Sequence, residues 1–73
     1  MFEKIAQEIR KAAAERQKVA MLHFQVLKHA RPLAAINARE FCRLVSISET
    51  YATEFRKMLS LSRLMDQQGV RLA

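Results

Sequence analysis

From Phe2 to Ala30 the chain contains neither glycine nor proline. A run of that length without either breaker, rich in Ala, Leu, Lys, Glu and Gln, reads as helix. The rest of the sequence is almost as constrained. Its 73 residues hold one Pro, at position 32, one Gly, at position 69, and no Trp. β-Branched residues are scattered and never alternate over the length of a strand. The expected fold is therefore all-α: one small domain, residues 1–73, of three to four helices. A chain this short buries only about 60% of its unfolded surface, so its stability is small. With 51% apolar residues it still has enough for a core, which argues against disorder.

Within the uninterrupted run, Phe2, Ile5, Ala6, Ile9, Ala12 and Ala13 fall on one helical face. Lys4, Lys11 and Lys18 line another, with Glu8 and Glu15 beside them. The spacing allows the pairs Lys4–Glu8, Glu8–Lys11, Lys11–Glu15 and Glu15–Lys18, each contributing a few tenths of a kcal/mol. The lysine stripe is either a solvated face or a phosphate-binding one. Arg16 falls in the middle of the apolar face. Beyond it, Val19, Ala20, Met21, Leu22, Phe24, Val26 and Leu27 are apolar nearly all round, as in a buried helix. Two arrangements remain open: helices over 2–15 and 18–30, or one long helix bent near Arg16. A straight helix would extend about 43 Å, past the rest of so small a domain.

Arg31-Pro32 should end the helix, because the residue before proline is pushed out of the α region. Leu33 to Ile36 is then a connector. Asn37 is a good N-cap, with Glu40 three residues on as in a capping box. Phe41, Cys42, Leu44 and Val45 form the expected buried side of this short helix. Ser48 caps the next helix, and Glu49 suits its dipole. That helix can run to Gln67, with Gly69 as a left-handed stop. Val70 and Leu72 are expected to fold back onto the core. Between the two helices stands Ser46-Ile47-Ser48, a three-residue break. Two short helices at a steep angle over such a turn make a helix-turn-helix, here residues 37–67. Cys42 would be the small residue at the crossing. Val45 and Ile47 would flank the turn, and Ala52 and Phe55 would point inward. Ser46 takes the turn position where glycine is usual, because φ is often positive there.

The second helix also has an outward face. Glu49, Thr50, Thr53, Arg56, Lys57 and Ser60 lie opposite Tyr51, Phe55 and Leu59. Hydroxyls with Arg and Lys are what a major-groove helix uses on bases and phosphates. Glu54, at the edge of this face, is expected to pair with a nearby Arg or Lys. Adding Ser48, and Arg39 and Arg43 from the first helix for phosphates, completes the candidate DNA-binding set. The formal charge of +6 favours a polyanionic partner. Its distribution is less favourable. Residues 1–32 carry seven Lys/Arg against three Glu, net +4, and residues 33–73 carry six against four acids, net +2.

Other chemistry is not expected. Cys42 is the only cysteine, so no intrachain disulfide can form, and the cytoplasm is the natural compartment. It reads as a small core residue. His23 and His29 are six apart, which does not place two ligands on one helix face. No HExxH, CxxC or Gly-rich phosphate loop is present, so no metal, cofactor or enzymatic activity is expected. No apolar run reaches the ~18–20 residues of a membrane span, and no signal-peptide pattern opens the chain.

The run S-E-T-Y-A-T-E-F-R-K-M-L-S-L, residues 48–61, together with His23-Phe24 upstream, resembles a group of small bacterial helix-turn-helix-like (HTH-like) domain proteins. The matching positions are Tyr51, Thr53, Glu54, Arg56 and Lys57. The resemblance covers residues 18–72 and leaves the N-terminal helix outside. Ser46 and Met58 stand where the pattern has glycine. The resemblance implies a DNA-binding fold more than a defined activity.

Two functional readings follow. In the first the protein is a transcriptional regulator on double-stranded DNA, acting as a homodimer joined through Phe2, Ile5, Ile9 and Ala12. In the second it is a protein-interaction module, an antagonist or adaptor that binds another regulator through the same N-terminal face. A membrane partner is not expected, because Glu residues balance the lysine stripe.

Overall fold

The computed structural model describes residues 1–71. Helix α1 (Phe2–Ala13) is followed by α2 (Lys18–Lys28), a single turn α3 (Ala30–Leu33), α4 (Ala38–Leu44), a 3-10 turn (Glu49–Tyr51) and α5 (Ala52–Gln67). The all-α expectation holds, with one more helix than the upper count, because part of the connector is itself helical. The chain makes its corners almost without glycine. Three helix ends close in the same way, with one residue in the left-handed region and two backward backbone bonds. After α1, Arg16 has φ +60°, Arg16 N–H donates to Ala13 O and Gln17 N–H to Ala12 O. After α4, Ser46 has φ +60°, Ser46 N–H donates to Arg43 O and Ile47 N–H to Cys42 O. After α5, Gly69 has φ +72°, Gly69 N–H donates to Asp66 O and Val70 N–H to Met65 O. These are Schellman caps, which satisfy carbonyls that the helix leaves free.

The cap at Arg16 decides between the two arrangements that the sequence left open. The chain leaves α1 there and starts a separate α2. Arg16 therefore does not sit on the apolar stripe that extrapolated periodicity assigns it, and its side chain is exposed. The α2 helix ends at Lys28, earlier than Pro32 alone requires. Pro32 lies in the first turn of α3, where its missing N–H leaves no gap in the ladder. Leu33, expected to be a mere connector, is fully buried.

All five helices supply the core. Ile5, Ala6 and Ile9 of α1 meet Leu22 and Val26 of α2, Leu33 of α3, Phe41 and Cys42 of α4, and Ala52 and Phe55 of α5. Helix α2 packs against α1 on one side and α5 on the other, and α4 crosses the start of α5. The Phe41 and Phe55 rings stack at 4.5 Å between centroids, which fastens the two helices of the corner with about 0.5–1.5 kcal/mol beyond area burial.

Some expectations need correction. Leu44 is 45% exposed, because Ala38, Phe41, Cys42 and Val45 define an arc that leaves it out. Helix α2 is not buried all round: Phe24 is 45% exposed, since α1 and α5 cover only two of its sides. Val70 is exposed rather than folded onto the core, and Leu72 lies outside the described residues. The Lys–Glu pairs of α1 do not close among the described residues, where the only basic side chain within 4 Å of a carboxylate is His23, beside Glu54. Such exposed pairs gain little over hydration.

Candidate nucleic-acid interface

The candidate interface lies on the corner between α4 and α5. Asn37 caps α4, its Oδ1 accepting from the backbone N–H of Arg39 at 2.9 Å and of Glu40 at 3.3 Å. This sets the direction in which Arg39 and Arg43, one turn apart, leave the exposed side of the helix. Cys42 and Val45 are buried at the crossing, as the motif requires, and Ile47 packs against them. The left-handed Ser46 then turns the chain. Ser48 Oγ accepts from Thr50 N–H at 3.2 Å and lies 2.9 Å from Thr50 Oγ1. The Ser48 hydroxyl is thus engaged in starting the second helix.

Beyond the cap, burial divides α5 cleanly over its first three turns. Ala52 and Phe55 are buried, while Thr53, Arg56, Lys57 and Ser60 are exposed at helical spacing on the opposite side. Glu49 and Thr50 are exposed on the 3-10 turn just before them. The nine residues of the sequence-derived DNA-binding set are therefore all at the surface: six follow one another along the second helix and its cap, Arg39 and Arg43 lie on α4, and Ser48 forms the cap. The burial of Cys42 beneath this corner raises its thiol pKa. The nearby Glu49 carboxylate adds to that rise and the Arg56 guanidinium opposes it.

Three contacts were not among the sequence-based expectations. Glu54 pairs with a histidine rather than an Arg or Lys: His23 Nε2 and Glu54 Oε2 are 3.2 Å apart, tying α2 to α5. Lys18, at the start of α2, places its ammonium 4.9 Å from the centre of the Tyr51 ring. This cation–π contact brings a charge from the basic N-terminal half to the start of the second helix. It also covers one face of Tyr51. Both contacts join residues about thirty positions apart, so no local pattern announces them. The third is local: Arg63 donates to Ser60 Oγ at 3.3 Å, and its i, i+3 spacing was the available signal.

The proposed contact stripe of α1 is not at the surface. Ile5, Ile9 and Ala12 are buried in the chain's own core, and Phe2 is partly buried against it. A face spent on intramolecular packing is not free for a second copy or another regulator.

The model of the HTH-like domain family matches residues 1–68. The chain belongs to the HTH-like domain family. The match takes in α1, which the resemblance seen in the sequence left outside. The fold gives the reason, since α1 carries part of the core of this HTH-like domain. No curated protein and no solved structure matches the chain. No helix among the described residues is long and apolar enough to cross a membrane.

Proposed function

We propose that this HTH-like protein binds double-stranded DNA as a non-enzymatic transcriptional regulator. The observation that carries the reading is the division of α5. Its first three turns bury Ala52 and Phe55 and leave Thr53, Arg56, Lys57 and Ser60 exposed directly after a helix-turn-helix corner. The N-terminal residues of a recognition helix are those that reach base edges. Arg56 would hold a guanine edge or phosphate, Lys57 a phosphate, and Thr50 and Thr53 bases or phosphate oxygens. Arg39 and Arg43 would hold the backbone from α4. Ser48 acts indirectly, by capping the helix.

A homodimer fits this reading, because one helix of this kind reads only a few base pairs. Its contact is not α1. The exposed Leu61 and Leu64, on the C-terminal half of α5, are apolar residues close to the recognition turns along the chain.

The test is fluorescence anisotropy of a labelled duplex taken from upstream of the protein's own gene, with a scrambled duplex beside it, across a salt series. Binding to the upstream duplex alone, with affinity falling as salt rises, is expected. Four cations in the set bound the slope of log affinity against log salt at roughly −4 per protomer. Arg56→Ala and Lys57→Ala should each weaken binding about tenfold or more without changing the helical signal. No binding at low salt, or equal binding to both duplexes, would overturn the proposal of a specific regulator.

A further inference from the structure

A second surface lies away from the recognition turns. Between the end of α2, helix α3 and the C-terminal half of α5 runs an open cleft of about 510 Å³. Leu27, Met65 and Val70 give it an apolar lining, and Lys28, Arg31 and Arg71 stand around them. A single carboxylate, Asp66, faces these three cations. On the same helix Phe24 is exposed, and its ring centroid lies 6.0 Å from the Lys28 ammonium.

The composition of the cleft selects its occupant. A phosphate backbone would neutralise the cations and leave the Leu27, Met65 and Val70 lining without a partner. A purely apolar segment would desolvate three cations with only Asp66 as counter-ion, which is costly. A second copy of the chain brings its own net charge of +6 against a basic rim. A segment with both carboxylates and large apolar side chains satisfies both parts of the surface. An amphipathic helix presents the two together, with apolar anchors at i, i+3 or i+4 and i+7. We propose that this cleft docks an acidic amphipathic helix of another protein, its apolar anchors on Leu27, Met65 and Val70 and its carboxylates against Lys28, Arg31 and Arg71. This surface is separate from Thr53, Arg56 and Lys57, and the proposal does not rest on DNA binding.

The test is selection from a random-peptide display library on the full chain, with counter-selection on the Lys28→Glu/Arg31→Glu variant. A second counter-bait, Val70→Glu, alters an exposed residue beyond the last helix, so the fold does not depend on it. Circular dichroism first establishes that each bait is helical. The expected result is enrichment of peptides with Asp or Glu between Leu, Ile, Phe or Met at helical spacing. A synthetic copy of an enriched peptide should bind the unmodified chain about tenfold or more tighter than either variant. It should also move the amide resonances of Ala30, Ser62 and Met65 and spare those of Thr53 and Lys57. No enrichment over the counter-baits overturns the proposal. So does equal binding of a peptide with the same charge and no apolar residues, which would leave only a basic patch. Movement of the cleft resonances by duplex DNA would also overturn it, by assigning the cleft to phosphate.

Discussion

Helices α1 and α5 are both amphipathic in sequence, yet the fold spends their apolar residues differently. Ile5, Ala6, Ile9 and Ala12 of α1 are all buried, from the first turn to the last. Helix α5 fully buries only Ala52 and Phe55, both in its first turn. The leucines of its second half stay out: Leu61 is 39% and Leu64 52% exposed. The difference shows that an apolar stripe records an intention to be covered and does not say by what. α1 is covered by its own domain, whereas the second half of α5 runs beyond the core. A helix that carries all its weight inside has no surface to offer, and one that overshoots its core does.

Truncations at the two kinds of position break or sharpen this contrast. The largest effect is expected at Phe55→Ala, which removes one ring of the Phe41–Phe55 stack and opens a cavity worth about 3–5 kcal/mol. Urea denaturation should show it as a large fall in midpoint. Ile9→Ala should follow at about 2–5 kcal/mol, because α1 is structural throughout. Survival of Ile9→Ala with native stability would mean that α1 does not belong to the core.

A gain is expected at the corner. Ser46 holds a left-handed conformation that costs a non-glycine residue about 1–2 kcal/mol. Ser46→Gly relieves this within an unchanged Schellman cap, with a net gain of about 1 kcal/mol once the greater freedom of unfolded glycine is subtracted. Melting should shift upward by roughly 4–8 °C. Glycine is already present at the equivalent position after α5, Gly69, so that end offers no such gain.

The Cys42 thiol gives a pH signature of the same corner. Burial raises its pKa above the ordinary 9.0. Below the unfolded value both states keep the proton, and the stabilisation is fully present. As pH rises through the unfolded and then the folded value, the unfolded chain ionises first, so stability is lost. Thermal unfolding between about pH 8 and about pH 10 should therefore fall more for the native chain than for Cys42→Ala, a comparison that isolates the thiol. Equal slopes would place Cys42 in contact with solvent. The smallest effect is expected at Leu64→Ser, within about 0.5 kcal/mol by urea denaturation at a protein concentration low enough for the chain to be monomeric. A larger loss there would show that the tail of α5 is covered after all.

Much of the corner was legible because its signals are local. Asn37 and Ser48 are caps that act within three residues. Ser46 was placed where φ turns positive, and Gly69 at the helix stop, and both are left-handed. Burial of Cys42, Val45, Ala52 and Phe55 followed from spacing on two short helices. Other features escaped for equally physical reasons. Arg16 was indistinguishable from a misplaced charge on a stripe, because periodicity has no term for a cap residue that is not glycine. Pro32 read as a helix stop, since the rule for the residue before proline does not register that a new helix can start just ahead of it. Leu44 was assigned to the core on hydrophobicity alone.

The sequence by itself determined what each segment would be: helical, amphipathic, capped and broken at stated places. Those choices rest on backbone dihedrals and hydrogen bonds within a few residues, which local side chains control. The tertiary structure alone decided what each apolar face would meet. It turned α1 inward, joined His23 to Glu54 and Lys18 to Tyr51, and left a basic cleft beside an uncovered α5 tail. Such pairings depend on how five short helices share one small core, and a core of this size covers some stripes only by leaving others bare.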